Sequence, residues 1–232
     1  MTPILDAMDL SKSFTIHQLD RHITGCRDVS IRIEPGQFVG ITGRSGSGKS
    51  TVLKLIYRTY LPQSGSIVYD SAEFGEVDLT TASDRTIIYL RRHEIGYVSQ
   101  FLNAIPRTTA REIVESAVKE TGADENTARA ETERMFTHFE LDHELWDSFP
   151  NNFSGGEKLR LNIAHAMAKH PRLLLLDEPT ASLDARSKDK VRQLIRQLKE
   201  EGTTMLGIFH DLEFMGGLCD KEYSMSLGSF TW

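Results

Sequence analysis

The sequence predicts an α/β protein: a mostly parallel sheet flanked by helices, with an antiparallel β section near the N-terminus and an inserted helical subdomain. Three patterns carry that reading. Leu173–Leu176 and Met205–Phe209 are continuous apolar runs, as in strands buried on both faces of a parallel sheet. A β-branched run, a glycine loop and a helical repeat follow one another from Phe38 to Tyr60. The stretch from Phe101 to His170 has helical spacing with no convincing strand pattern.

In chain order, Val29–Ile33 and Phe38–Thr42 read as strands joined by the turn Glu34-Pro35-Gly36. From Lys49 to Tyr60 a helix is expected, with Val52, Leu53, Ile56 and Tyr60 recurring on one face; Pro62 and Gly65 end the unit. Ile67–Tyr69 and Ile95–Ser99 are further strands. In the middle block, Thr109-Ala-Arg-Glu112 has the form of a capping box, and Ala128, Thr132, Met135, Phe136 and Phe139 line one helix face. Val191, Leu194, Ile195 and Leu198 mark an amphipathic helix between the last two strands. The expected organisation is a single domain over 1–232, with 1–100 and 171–232 forming the α/β core and about 101–170 the helical subdomain.

A chain of 232 residues that is 39% hydrophobic and 26% charged has a soluble composition and length enough for a sizeable core. No apolar run approaches the roughly 18 residues of a membrane-spanning helix. Met1–Leu10, with Asp6 and Asp9, lacks the basic-then-apolar pattern of a secretory leader, so the cytoplasm is the expected location, without direct membrane insertion. A formal charge of -6 argues against nucleic acid as a partner. Cys26 and Cys219 have neither the density of a disulfide framework nor zinc-site spacing.

Gly43-Arg44-Ser45-Gly46-Ser47-Gly48-Lys49-Ser50 fits G-x-x-x-x-G-K-[ST] and lies between a predicted strand and a predicted helix, the setting this phosphate loop requires. Its glycines let backbone N–H groups approach phosphates, while the following helix turns the positive end of its dipole toward them. Lys49 supplies a point charge toward the β and γ phosphates, Ser50 offers its hydroxyl to Mg2+, and Thr51 completes the nucleotide-contacting set. The expected cofactors are ATP and Mg2+. Asp177 and Glu178 close an apolar strand, where parallel-sheet proteins hold their ligands. Asp177 reads as the carboxylate behind the metal. Glu178 then accepts a proton from the attacking water or holds that water in line, or is a helix-terminus charge beside Pro179.

A phosphate loop and an acidic strand end occur in many enzymes, and Phe153-Ser154-Gly155-Gly156-Glu157 narrows the choice. It resembles the signature of the ATP-binding cassette (ABC) ATPases, a family of P-loop NTPases. Ser154 and Glu157 also suit a capping box for a helix through Ile163, Ala164 and Met167. The family's remaining elements stand in order: Gln100 after Ile95–Ser99, Ser182-Leu183-Asp184 past the acids, and His210 closing Met205–Phe209. The resemblance implies the ABC ATPase fold and hydrolysis of Mg-ATP at a site shared with a second ABC ATPase subunit, identical or related. In that site Ser154, Gly155 and Gly156 cap the γ phosphate held by the opposite loop. It further implies that Gln100 reaches the metal and the attacking water, Asp184 works at the dimer contact and His210 touches the γ phosphate. Phe14 lies where the family stacks an aromatic ring on adenine, a place that a core phenylalanine would also suit. The implied catalytic set is Lys49, Gln100, Glu178 and His210, and the metal set Ser50, Gln100 and Asp177. Phe153, Glu157 and His165 replace the leucine, glutamine and arginine common in the pattern.

A finer resemblance is to the ATP-binding subunits of the bacterial carbon-phosphorus lyase system, which forms ribose 1-phosphonate 5-triphosphate. Its bearers are Tyr57-x-x-Tyr60-Leu61-Pro62, Gly96-Tyr97-Val98-Ser99-Gln100-Phe101-Leu102, Ile105-Pro106-Arg107, Trp146 and Gly207-Ile208-Phe209-His210-Asp211. It implies carbon-phosphorus lyase core subunits as partners. A membrane permease is the alternative partner, and a nucleotide-gated scaffold with little turnover a third reading.

Overall fold

The computed structural model describes residues 2–16, 21–99, 107–180, 183, 185–209 and 215–231. Two sheets organise them. Strands β1 (Leu5–Ile16), β2 (Arg21–Ile33), β4 (Ser64–Ser71) and β5 (Gly75–Asp78) form an antiparallel sheet in the order β2-β1-β4-β5. The second sheet contains β3 (Phe38–Thr42), β6 (Ile95–Val98), β7 (Leu173–Asp177), β8 (Thr204–Ile208), β9 (Lys221–Ser226) and β10 (Ser229–Thr231), in the order β10-β9-β3-β8-β7-β6. All its pairings are parallel except β9 with β10.

Every residue of β3, β7 and β8 is buried, which explains their unbroken apolar runs. Side chains alternate between two cores. Leu174 and Leu176 join a cluster with the helices of the 101–170 block, whereas Leu173 and Leu175 join one with α1 (Lys49–Ile56), α2 (Asp84–His93) and the antiparallel sheet. Register decides what meets at the sheet edge. Val98 pairs with Leu176, Asp177 with Ile208 and Ile41 with Ile208, so the chain leaves β3, β6, β7 and β8 along one carboxyl edge.

The helical block contains α3 (Ala110–Lys119), α4 (Glu125–His138) and α5 (Gly155–Met167). Both expected capping boxes form. Thr109 and Glu112 bond reciprocally at the start of α3, and Ser154 and Glu157 do so at the start of α5. Ala128, Thr132, Met135, Phe136 and Phe139 are all buried, as their spacing predicts. Phe153 lies in the same cluster, so the larger ring at this position fills core and does not project toward solvent. Helix α6 (Ala185–Glu200) buries Val191, Leu194, Ile195 and Leu198 in the same cluster.

Three departures from the expected elements have local causes. Helix α1 stops at Ile56, short of Tyr60, because Arg58 takes a left-handed φ of 63°. The Arg58 and Thr59 N–H groups then bond back to Leu55 and Lys54, a Schellman closure without glycine. Strand β1 is obscured in sequence by register shifts between Ala7 and Ser13 and by Asp9 at φ 52°. Helix α2 buries only Ile87 and Leu90, too few to reveal a period.

Phe136 is fully buried between α3, α4 and α5, and its ring lies 5.4 Å from that of Trp146. Phe136→Ala is expected to cost about 3–5 kcal/mol of folding free energy, read as a lowered midpoint in urea denaturation.

Candidate active site

The loop after β3 is shaped by two glycines that other residues could not replace. Gly43 has φ 141° and Gly48, the N-cap of α1, has φ 103°. A Cβ at Gly48 would overlap the carbonyl oxygen of Gly25, and one at Gly43 the carbonyl oxygen of Met225. The loop is thus pressed between β2 and β9 while its N–H groups lead into α1.

Lys49, only 3% exposed, donates from Nζ to the carbonyls of Gly43 at 2.9 Å and Arg44 at 3.0 Å. Burial holds its ammonium group below the ordinary lysine range, opposed by the charges of Glu178 and Asp177. Ser50 Oγ donates to Asp177 Oδ1 at 2.9 Å, so the first turn of α1 meets the end of β7. The other carboxylate oxygen of Asp177, Oδ2, accepts from the Tyr97 hydroxyl of β6 at 2.6 Å. Burial, followed by the bond to Asp177, pushes the Tyr97 phenol well above the usual tyrosine range, so it stays a neutral donor.

Glu178 follows Asp177 with φ 52°, a left-handed conformation uncommon outside glycine and found disproportionately where function demands a fixed geometry. It lines a cleft of about 210 Å³ together with Phe14, Thr24, Gly25, Gly46, Gly48, Lys49, Ser50 and Thr51. Phe14 is half-buried at this cleft and meets Tyr60 edge-on at 5.2 Å. Gly25 lets Phe14 lie there: a Cβ on it would come within 2.7 Å of the Phe14 ring. Arg44, Ser45 and Ser47 line a second cavity of about 510 Å³, bounded by Ser224–Leu227.

Ser154, Gly156, Glu157, Arg160 and Ser187 border a separate cleft of about 250 Å³ that shares no lining residue with the Lys49 cleft. Gly155 opens α5 beside it. Asn162 Nδ2 of α5 donates to the Ser99 carbonyl at 2.8 Å, which ties this helix to the end of β6. Gln100, Asp184 and His210 lie outside the described residues. Two residues at the site have no role assigned by spacing: Tyr97, which the sequence offers only as a strand residue and within the segment that carries the finer resemblance, and Gly25, which acts by what it lacks.

Hard oxygen donors suit Mg2+, and Ser50 beside Asp177 supplies them next to a phosphate loop and a buried lysine. A family model described as ABC transporter matches residues 26–181. The chain belongs to the ABC transporter family. It is an ABC-type ATPase, with ATP and Mg2+ as cofactors.

The chain is 33% identical over 226 residues to the lipoprotein-releasing system ATP-binding protein LolD 2 of Chlorobium chlorochromatii, covering 97% of the chain and 92% of that protein. It is 32% identical to the methionine import ATP-binding protein MetN of Streptococcus pneumoniae, matching 97% of the chain but 62% of MetN. Among solved structures, the dimeric post-hydrolysis state of the ATP-binding cassette MJ0796 bound to ADP and Pi superposes with a TM-score of 0.88 at 28% identity, covering 98% of this chain and 97% of that one.

Gly48→Ala combines a positive φ with the overlap on Gly25, so it is expected to lower stability by at least about 1–3 kcal/mol and to abolish the loop geometry. Calorimetry with and without ATP checks both effects: a lower melting temperature and no stabilisation by nucleotide.

Proposed function

We propose that this ATPase hydrolyses Mg-ATP at a site completed by a second ABC subunit and that the motion drives a membrane permease. The observation that carries the first half is the contact of Ser50 with Asp177 at the cleft of the glycine loop and Lys49. Phosphates would displace the Gly43 and Arg44 carbonyls from Lys49, whose charge then serves the β and γ phosphates. Thr51 and the loop backbone from Gly43 through Arg44, Ser45, Gly46 and Ser47 to Gly48 hold the phosphates, and Phe14 backs the adenine. Ser50, Asp177 and Gln100 would hold Mg2+, which would supply positive charge to offset that of the phosphates. Glu178 takes the proton of the attacking water, and His210 contacts the γ phosphate.

A composite site is supported by Gly156. A Cβ there would meet Ser187 Oγ at 3.6 Å, an ordinary contact, so no described residue of the chain requires glycine at this position. Close approach of a ligand from outside would. Ser154, Gly155 and Gly156 at the start of α5 form an anion-binding helix terminus for the partner's γ phosphate, with Asp184 at the contact.

The permease reading is favoured by relatives named as ATP-binding proteins of lipoprotein release and methionine import. Among the described residues no helix is long and apolar enough to cross a membrane. A second reading, an ATPase of the carbon-phosphorus lyase assembly resembling PhnL, rests on the segments around Tyr57, Tyr97, Trp146 and Gly207.

Glu178→Gln is expected to retain ATP affinity, cut phosphate release by at least about 100-fold and produce an ATP-dependent dimer on size exclusion. Undiminished release removes Glu178 from the proton-accepting role. Affinity purification of the tagged chain from its host is expected to recover permease subunits from solubilised membranes; recovery with soluble phosphonate-lyase subunits instead selects the second reading.

A further inference from the structure

We propose that Tyr97 is a positioning residue for the metal site: its hydroxyl orients the Asp177 carboxylate, and so sets divalent-cation affinity without touching the cation or the nucleotide. The inference rests on the ATPase reading and adds a residue to it. Asp177 is 8% exposed, and its two oxygens have different duties. Oδ1 accepts from Ser50 at 2.9 Å, on the side facing the phosphate loop. Oδ2 accepts from Tyr97 at 2.6 Å, a short charge-assisted bond.

With only the Ser50 bond, the carboxylate could rotate about χ2, a broad two-fold torsion. The Tyr97 bond fixes that rotation from behind. Tyr97 is itself held. Its ring packs on that of Tyr57 with centroids 4.7 Å apart and an interplanar angle of 38°. Arg91 lies over the Tyr57 ring, 4.5 Å from its centroid, and donates to the Tyr57 carbonyl through Nε at 2.9 Å and Nη2 at 2.7 Å. The layer thus connects α2, the end of α1 and β6 to the metal carboxylate. Groups that orient a metal's ligands from behind commonly alter metal affinity about 10–100-fold when removed.

The test uses Mn2+ as probe, titrated into the full chain with ATP and followed by electron paramagnetic resonance. Tyr97→Phe keeps the ring and its packing on Tyr57. It is expected to weaken Mn2+ about 10-fold while leaving ATP affinity in EDTA within about twofold, a split that general loosening of the fold would not give. Because Tyr97 acts through Asp177, adding Tyr97→Phe to Asp177→Asn should bring no further loss. Unchanged Mn2+ affinity in Tyr97→Phe overturns the assignment, as do losses that add in the double variant. A wild-type chain that binds no Mn-ATP would overturn the ATPase reading instead, so the two failures are distinct.

Discussion

The carboxylate of Asp177 is buried at the end of a strand whose other residues are all leucine, and it is held there by two hydroxyls, Ser50 and Tyr97. An ionised carboxylate withdrawn from water is costly unless each oxygen is bonded. The two donors come from elements far apart in sequence, α1 and β6, so the bonds require β6 to pair with β7 and the first turn of α1 to meet the end of β7. Satisfying one buried charge therefore registers three segments of the fold against one another. The same bonds bring the Ser50 hydroxyl beside the Asp177 carboxylate, the pair proposed to hold the metal.

Lys49 presents the complementary case. Its amine is buried, and two loop carbonyls satisfy it where phosphate oxygens would otherwise stand. The carbonyls are neutral dipoles, whereas a phosphate carries full negative charge, so it attracts the ammonium more strongly at the same distance. Exchange of carbonyl for phosphate is thus favourable in Coulombic energy and leaves the ammonium bonded throughout. Burial alone disfavours its charge, and the acids Asp177 and Glu178 counter that tendency. The acids at the strand end accordingly help keep charged the lysine that the loop offers to nucleotide.

How much of this was legible in the sequence depends on the range over which each feature is specified. The phosphate loop, Asp177, and both capping boxes are local, and spacing alone located them. The buried strands were legible because β3, β7 and β8 are covered on both faces, and the amphipathic helix at Val191 because one face is. Helix α2, with two buried residues, and β1, bent by bulges, gave no clear period. The bond of Tyr97 to Asp177 could not be read at all. The two lie 80 residues apart, and only the pairing of β6 with β7 makes them neighbours. Gly25 was equally silent, since its role is the space it leaves for Phe14 and Thr51.

A continuous set of contacts crosses the two cores. Ser154 caps α5, Asn162 of that helix bonds the Ser99 carbonyl, and Tyr97, two residues earlier on β6, bonds Asp177. Asn162 is 5% exposed, so its amide would be costly to leave unpaired if α5 turned away from β6. A single bond of this kind contributes about 0.5–1.5 kcal/mol, too little to drive a rigid-body rotation of the helical block. Its effect is on alignment: the end of β6 follows α5. In the proposed composite site, a force that moved α5 would have to come from the much larger differential contacts made when a ligand is gripped from both sides. Within the chain, the bond would link such a displacement to the strand carrying Tyr97 and not only to the helical surface.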